Sequence, residues 1–486
     1  MKKIMLTLAA LSVFAASAFS QALPKGTAAA SAEGGITSEM LVEIAKGYEG
    51  TASDKAIKNA LAGTSIATLA VNSENAAMID THFSDRVKTK GITDQKSSGR
   101  CWLFTGLNVL RAKMIDTYDL PEFQFSQNYV FFYDQLEKAN LFLQGIIDTR
   151  DLPDDDRQVD WLFQNPLSDG GQFTGVANLV TKYGIVPSEA MPETFCSNNT
   201  SQMSMVLKLK LREDGLRLRE SYYAMASKVR RPNTSAALKA LQAQKVEMLR
   251  EVYRILALCL GEPPAEFEWT RCDSKGEIVS TEKYTPKSFY EKYVGEDLNG
   301  GYVMVMNDPC REYGKVYEID YDRHVYDGQN WLYVNLPLER IKEMAIASIK
   351  DNTAMYFSCD VGKYFSRTKG TLDLKNYDYS SLMGVEFGMN KKERVQTHAS
   401  GSSHAMTLIA VDIDAESGEP RKWMVENSWG PAAGYKGCLI MTDEWFNEYM
   451  FRLVVARKYV PSDVLEMLKQ TPIKLPSWDP MFSEEE

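Results

Sequence analysis

The order of apolar and polar positions divides the chain into a helical first half and a strand-rich second half. Thr37-Ser38-Glu39-Met40-Leu41-Val42-Glu43-Ile44-Ala45 sets a hydroxyl ahead of an acidic first turn, which predicts a capped amphipathic helix. From Cys101 to about residue 145 apolar residues recur at helical spacing, opening on Trp102-Leu103-Phe104. Ser126 is placed to cap a mostly buried helix through Tyr133 and on to Asn140. Asp169-Gly170-Gly171-Gln172 makes a turn into a further helix, which Tyr183-Gly184 closes. Residues 203–262 are rich in Leu, Lys, Arg, Ala and Glu at helical spacing. Arg231-Pro232 interrupts them, and proline breaks the hydrogen-bond ladder, so two helices are expected.

Beyond residue 300 the period changes. Residues 300–360 alternate strand-like and turn-like segments, with a helix entered at Leu336-Pro337-Leu338. Ala354 to Val361 predicts a buried strand. Gly401-Ser402-Ser403 leads into His404 and the β-prone run Ala405 to Val411, so His404 begins a strand directly after a loop. Trp423-Met424-Val425-Glu426 is a short strand that ends in the turn Asn427-Ser428-Trp429-Gly430. The pattern is α+β, and the groove between a helical half and a β-rich half is the expected place for chemistry.

That chemistry points to one thiol. Gln95-Lys96-Ser97-Ser98-Gly99-Arg100-Cys101-Trp102 puts an amide side chain six residues before Cys101, and Cys101 at the start of a helix. The positive end of a helix dipole favours the thiolate. An amide held nearby can donate to a developing oxyanion. The chain has four histidines, and a general base for the thiol must be one of them in a Cys/His mechanism. His404 is the best placed. His82, His324 and His398 read as structural or solvated.

These strings resemble papain-like cysteine peptidases, and most closely the bleomycin hydrolase and aminopeptidase C family. The resemblance rests on Q-K-S-S-G-R-C-W at Gln95–Trp102, N-S-W-G at Asn427–Gly430, and L-P-x-W-D-P-M at Leu475–Met481. It implies a two-lobed fold with an N-terminal segment and helical lobe over 36–200, a helical insertion over 201–300, a β-barrel-like lobe over 301–465 and a C-terminal arm over 466–486. The separation of Cys101 from His404 is about twice that of ordinary papain-like enzymes, which the insertion accounts for. The resemblance further implies that Cys101 is the nucleophile and His404 its base. Asn427 would orient the imidazole, and Gln95 with the Cys101 N–H would bind the oxyanion. Gly170 and Gly171 would line the cleft, with a plain helix cap as the equal alternative. In that family residues 203–262 form an arm that supports a hexamer, with an ordinary helical lid on a monomer as the alternative. Neither a cofactor nor a metal is implied.

The same resemblance makes the last residues an arm that enters the cleft, so that the terminal carboxylate of Glu486 holds a substrate's free amine. The product is an aminopeptidase acting on peptides. This chain departs from the family there, because Phe482-Ser483-Glu484-Glu485-Glu486 replaces small apolar residues. The acids either add negative charge for an ammonium group or, by mutual repulsion, stay in solvent and leave the cleft open to endopeptidase activity. A catalytically silent oligomeric binding protein is the remaining alternative, opposed by the intact Cys101, His404, Asn427 and Gln95 set.

Composition adds compartment and partners. Lys2 and Lys3, the apolar run Ile4–Phe14 and Ala18-Phe19-Ser20 read as a signal peptide over 1–20, followed by a flexible Ala/Gly/Ser-rich leader over 21–35. The apolar run is too short for a stable span, so no membrane insertion is expected after cleavage and the product is periplasmic or secreted. Residues 36–90 read as part of the mature fold, with a cleaved pro-segment as the alternative. Loss of residues 1–20 removes two lysines and no acid, moving the formal charge from −10 to −12. That acidity argues against a phosphate-binding stripe, so no nucleic-acid partner is expected. The seven cysteines show no metal-ligand spacing and read mostly as buried thiols.

Overall fold

A computed structural model describes residues 34–77, 80–227 and 235–479. The signal segment 1–20, most of the leader, the Arg231-Pro232 break and the tail from Pro480 to Glu486 lie outside the described residues. The chain divides into two units, one ending at Leu69 and one beginning at Ala70. In the first, α1 (Ser38–Lys46) is capped by the Thr37 hydroxyl, which accepts from the Met40 N–H at 3.2 Å. A reciprocal Thr51/Asp54 box caps α2 (Ala52–Leu61). Two orphan donors at that helix start are satisfied in this way.

Five helices carry the helical half of the second unit. They are α3 (Cys101–Tyr118), α4 (Gln127–Asp148), α5 (Phe173–Tyr183), α6 (Ser201–Ala226) and α7 (Ser235–Leu260). Fourteen of the eighteen residues of α3 are buried, so it is a central helix rather than a surface one. Gly106 permits its close packing on α5, since a Cβ there would stand 2.6 Å from Val176 Cγ2. The Ser126 hydroxyl caps α4, accepting from the Tyr129 N–H at 3.0 Å. The long insertion holds α6 and α7, each of twenty-six residues. Residues 261–300 are not helical throughout, as the sequence reading had them. Strands β1 (Phe267–Cys272) and β2 (Ile278–Tyr284) form a hairpin there. Its buried Trp269 and Tyr284 pack on Phe289, and six- and seven-residue strands that bury so few positions leave only a weak alternation in sequence.

The sheet comprises β3 (Tyr302–Met306), β4 (Val316–Ile319), β5 (Leu332–Asn335), β6 (Met355–Cys359), β7 (His404–Ile413), β8 (Pro420–Glu426), β9 (Cys438–Thr442), β10 (Met450–Ala456) and β11 (Ile473–Leu475). Their spatial order is β11-β4-β5-β3-β10-β6-β7-β8-β9, extended by two short strands, Thr371–Leu372 and Phe365–Ser366. β7 lies between β6 and β8, antiparallel to both, and all but its last residue are buried. Its register pairs His404 with Cys359 and Thr407 with Glu426. The start of β7 therefore lies beside the turn that follows β8.

One buried ion pair ties the two halves together. Arg111 of α3 meets Glu426, the last residue of β8, and both are almost fully enclosed. Burial raises the Glu426 carboxyl despite the guanidinium beside it. Arg111 Nε and Nη1 have no hydrogen-bond partner. Glu426→Ala leaves a buried cation uncompensated and should cost about 3–5 kcal/mol in urea unfolding.

A second buried cation gives a pH signature. Lys391 donates to Asn307 Oδ1 at 2.7 Å and to the carbonyls of Met450 and Asn447 at 2.6 and 3.2 Å. Burial pushes its ammonium down to about 7. Between that pH and the unfolded value of about 10.4, the unfolded chain binds more protons, so this group's contribution to stability rises with pH. The gain in urea midpoint from pH 7 to pH 9 should be larger in the wild type than in Lys391→Met.

Candidate active site

The peptide before Cys101 is held on every side. Arg100 is fully buried, and its guanidinium donates to both oxygens of Glu193 at 3.1 and 2.9 Å. The same group lies over the rings of Phe104 and Phe131. Ser97 N–H donates to the Asn198 carbonyl at 3.0 Å. The Ser98 hydroxyl donates to the Gln95 carbonyl at 2.6 Å. These contacts fix the loop that delivers Cys101 as the first residue of α3, where the unsatisfied N–H groups of the helix start favour a thiolate.

The sheet brings the other groups to the thiol. Cys101 Sγ accepts from the Ala405 N–H at 3.5 Å, so the start of α3 touches the first peptide of β7. His404 Nε2 lies 2.9 Å from Asn427 Oδ1. The Ser428 N–H donates to the same oxygen at 2.8 Å. A backbone N–H can only donate, so the Asn427 atom facing the imidazole is its oxygen. His404 Nε2 must then carry the proton, which leaves the lone pair on Nδ1 to accept one. Trp429 covers this hydrogen bond, its ring 4.8 Å from the imidazole and tilted by 31°.

Gln95 joins the same turn. Its N–H donates to the Ser428 carbonyl at 2.8 Å, and its Oε1 accepts from the Ser428 hydroxyl at 2.6 Å. Gln95 Nε2 donates one hydrogen to the Ser98 carbonyl at 2.7 Å, and its second hydrogen belongs to the same planar group. Ser428 thus orients the amide, a role that the sequence did not signal beyond its place in the N-S-W-G string.

The structure gathers Cys101, His404, Asn427 and Gln95 into one site. Gly170 and Gly171 are buried, Gly171 packing on the Trp102 indole, whose Nε1 donates to the Asp169 carbonyl at 2.7 Å. Gln172 occupies the N-cap of α5 without a side-chain bond, and the Asp169 carboxylate accepts from the Ser204 hydroxyl at 2.7 Å. His82 and His398 are exposed, whereas His324 is buried with Nδ1 2.5 Å from Asp134 Oδ1. All seven cysteines stand as thiols, and Cys196, Cys259, Cys272 and Cys310 are half-buried rather than buried.

A cavity of about 700 Å³ opens beside Ser402 and Ser403, which lead into His404. Phe142, Trp161 and Tyr321 make part of its wall, with Lys208 and Arg323 at its polar side. Ser477, Trp478 and Asp479 line it too. Trp478 lies under the Arg157 guanidinium at 4.4 Å, and Asp479 pairs with Arg311. Glu486 lies outside the described residues. Among the described residues no cluster of His, Cys, Asp or Glu is arranged to hold a metal ion.

Known proteins share this sequence and this architecture. A family model described as Peptidase C1-like family matches residues 35–482. Bleomycin hydrolase of Homo sapiens is 41% identical over 399 residues, which is 81% of this chain and 86% of that protein. Aminopeptidase G of Lactobacillus delbrueckii subsp. lactis is 37% identical over 444 residues, 91% of this chain and 98% of its own length. The crystal structure of PepW from Lactobacillus rhamnosis superposes with a TM-score of 0.86 at 34% identity, covering 92% of this chain and 99% of that one. The papain-like α+β fold expected from the motifs is the fold of this chain, which belongs to the Peptidase C1-like family.

Proposed function

We propose that the protein is a cysteine aminopeptidase that removes N-terminal residues from peptides through a thioester on Cys101. The observation that carries this reading is the shared acceptor Asn427 Oδ1, which leaves His404 Nδ1 able to take a proton beside a thiol at a helix start. The thiolate sulfur attacks the scissile carbonyl carbon, its proton having passed to His404. The imidazolium returns that proton to the departing amine as the C–N bond breaks. Water, deprotonated by the same imidazole, then cleaves the thioester and regenerates the thiol. The Cys101 N–H and the second hydrogen of Gln95 Nε2 face the oxyanion.

The exopeptidase choice draws on relatives named aminopeptidases and on the arm, which reaches the cavity wall at Asp479. Seven residues follow, and their terminal carboxylate at Glu486 is the proposed partner of the substrate ammonium. Gly170 and Gly171 present backbone to the substrate. Met205, Leu209 and Leu216 form an exposed apolar stripe on α6, which supports a homo-oligomer. The N-terminal pattern supports export to a periplasm or the exterior.

Hydrolysis of a free-amino aminoacyl amide and of its N-acetylated twin tests the reading, with Cys101→Ala as control. Cleavage of the free amine alone is expected, and removal of residues 480–486 should open activity on the acetylated substrate. Equal cleavage of both by the full chain marks an endopeptidase. Gln95→Ala should lower kcat by about 10²–10³-fold. Ser428→Ala removes one hydrogen bond to that amide and should lower kcat by about tenfold, with KM little changed.

A further inference from the structure

Behind the Trp102 indole lies a buried polar cluster that takes no part in the reaction as described. Asp134 and Lys138 stand one turn apart on α4, and His324 comes from the loop between β4 and β5. Asp134 is fully enclosed. Its Oδ1 meets His324 Nδ1 at 2.5 Å. Its Oδ2 accepts from Gln135 Nε2 at 3.0 Å and pairs with Lys138 Nζ at 3.2 Å. Burial by itself raises a carboxyl, yet the charges of Lys138 and His324 hold Asp134 below the ordinary carboxylate value.

The cluster reaches directly into the glycine segment. Lys138 Nζ donates to the Ser168 carbonyl at 2.9 Å and to the Gly170 carbonyl. Trp102 takes the carbonyl between them, at Asp169. Three successive carbonyls are thus held by side chains that touch one another, because Lys138 Nζ lies 5.5 Å over the indole and His324 packs edge-on against it at 4.7 Å. His324 also fills the space that two glycines leave. A Cβ on Gly171 would stand 2.2 Å from His324 Cε1, and one on Gly175 would stand 2.5 Å from it. Buried ion pairs add little net stability over apolar packing, whereas they do fix orientation.

We propose that Asp134, Lys138 and His324 form a positioning cluster that clamps the Ser168–Gly171 segment against Trp102 and so sets how tightly the substrate backbone is bound. The proposal rests on the peptidase reading above. None of the three residues touches the reacting atoms, so the cluster acts on binding and not on the thiol.

The test compares wild type with Asp134→Asn, Lys138→Met and His324→Gln in the full chain, using the free-amino aminoacyl amide. Active sites are counted by peptide mapping of Cys101 alkylation with iodoacetamide, a reagent with no backbone to bind. KM should rise about tenfold, with kcat per alkylatable Cys101 within about twofold of wild type and the alkylation rate of Cys101 unchanged. A lower fraction of alkylatable Cys101 at unchanged KM means that the cluster only supports folding, and overturns the proposal. A fall in kcat and alkylation rate at unchanged KM also overturns it, by assigning the cluster to thiol activation. If Asp134→Asn does not fold, His324→Gln keeps the Asp134–Lys138 pair and decides the matter. Absence of hydrolysis by wild type itself overturns the peptidase reading, a result distinct from any change among the variants.

Discussion

The antiparallel pairing of β7 with β8 is the constraint on which the site depends. Strand side chains alternate between faces, so a slip of one residue turns His404 away and moves Asn427 out of its reach. The register is held because β7 is buried on both faces and flanked on both edges, by β6 and β8. It sets the start of β7 beside the turn at Asn427–Gly430. From that juxtaposition come the His404–Asn427 hydrogen bond, the cover supplied by Trp429 and the Ser428 contacts that orient Gln95.

The helical half answers this sheet with an equally fixed element. α3 is buried along most of its length, so it cannot rotate without exposing apolar surface or burying polar groups unpaired. Its first residue is the thiol, and its eleventh is Arg111, which grips the residue next to Asn427 through Glu426. One helix thereby connects both ends of the candidate site. Arg100 and Glu193 lock the loop before the thiol, and Trp102 passes the position of the same helix on to the 168–170 carbonyls. Preorganisation of this kind places donors before charge develops, so little reorganisation is needed during reaction.

Much of this was legible along the chain because it is locally encoded. A thiol at a helix start, a histidine at a strand start and an asparagine in the following turn each sit in short strings whose composition dictates the local conformation. The caps at Thr37 and Ser126 were legible for the same reason. The hairpin at 267–284 was not, since two short strands between long helices give little periodic signal. For His324 the sequence left two readings open, structural or solvated, and the structure takes the first. A histidine in the charged run Tyr321-Asp322-Arg323-His324 looks solvated, and only packing against Asp134 and Trp102 takes it out of water.

The sequence by itself determined the candidate groups, because the identity and order of Gln95, Cys101, His404 and Asn427 are covalent facts, and the patterning around them specifies helix, strand and turn. Tertiary structure decided the partnerships. The Ser428 hold on Gln95, the Arg111–Glu426 tie and the contact of His324 with Asp134 join residues 190 to more than 300 positions apart. Such pairings have no local signature. They exist only once the register of the sheet and the burial of α3 have brought those side chains within hydrogen-bonding distance.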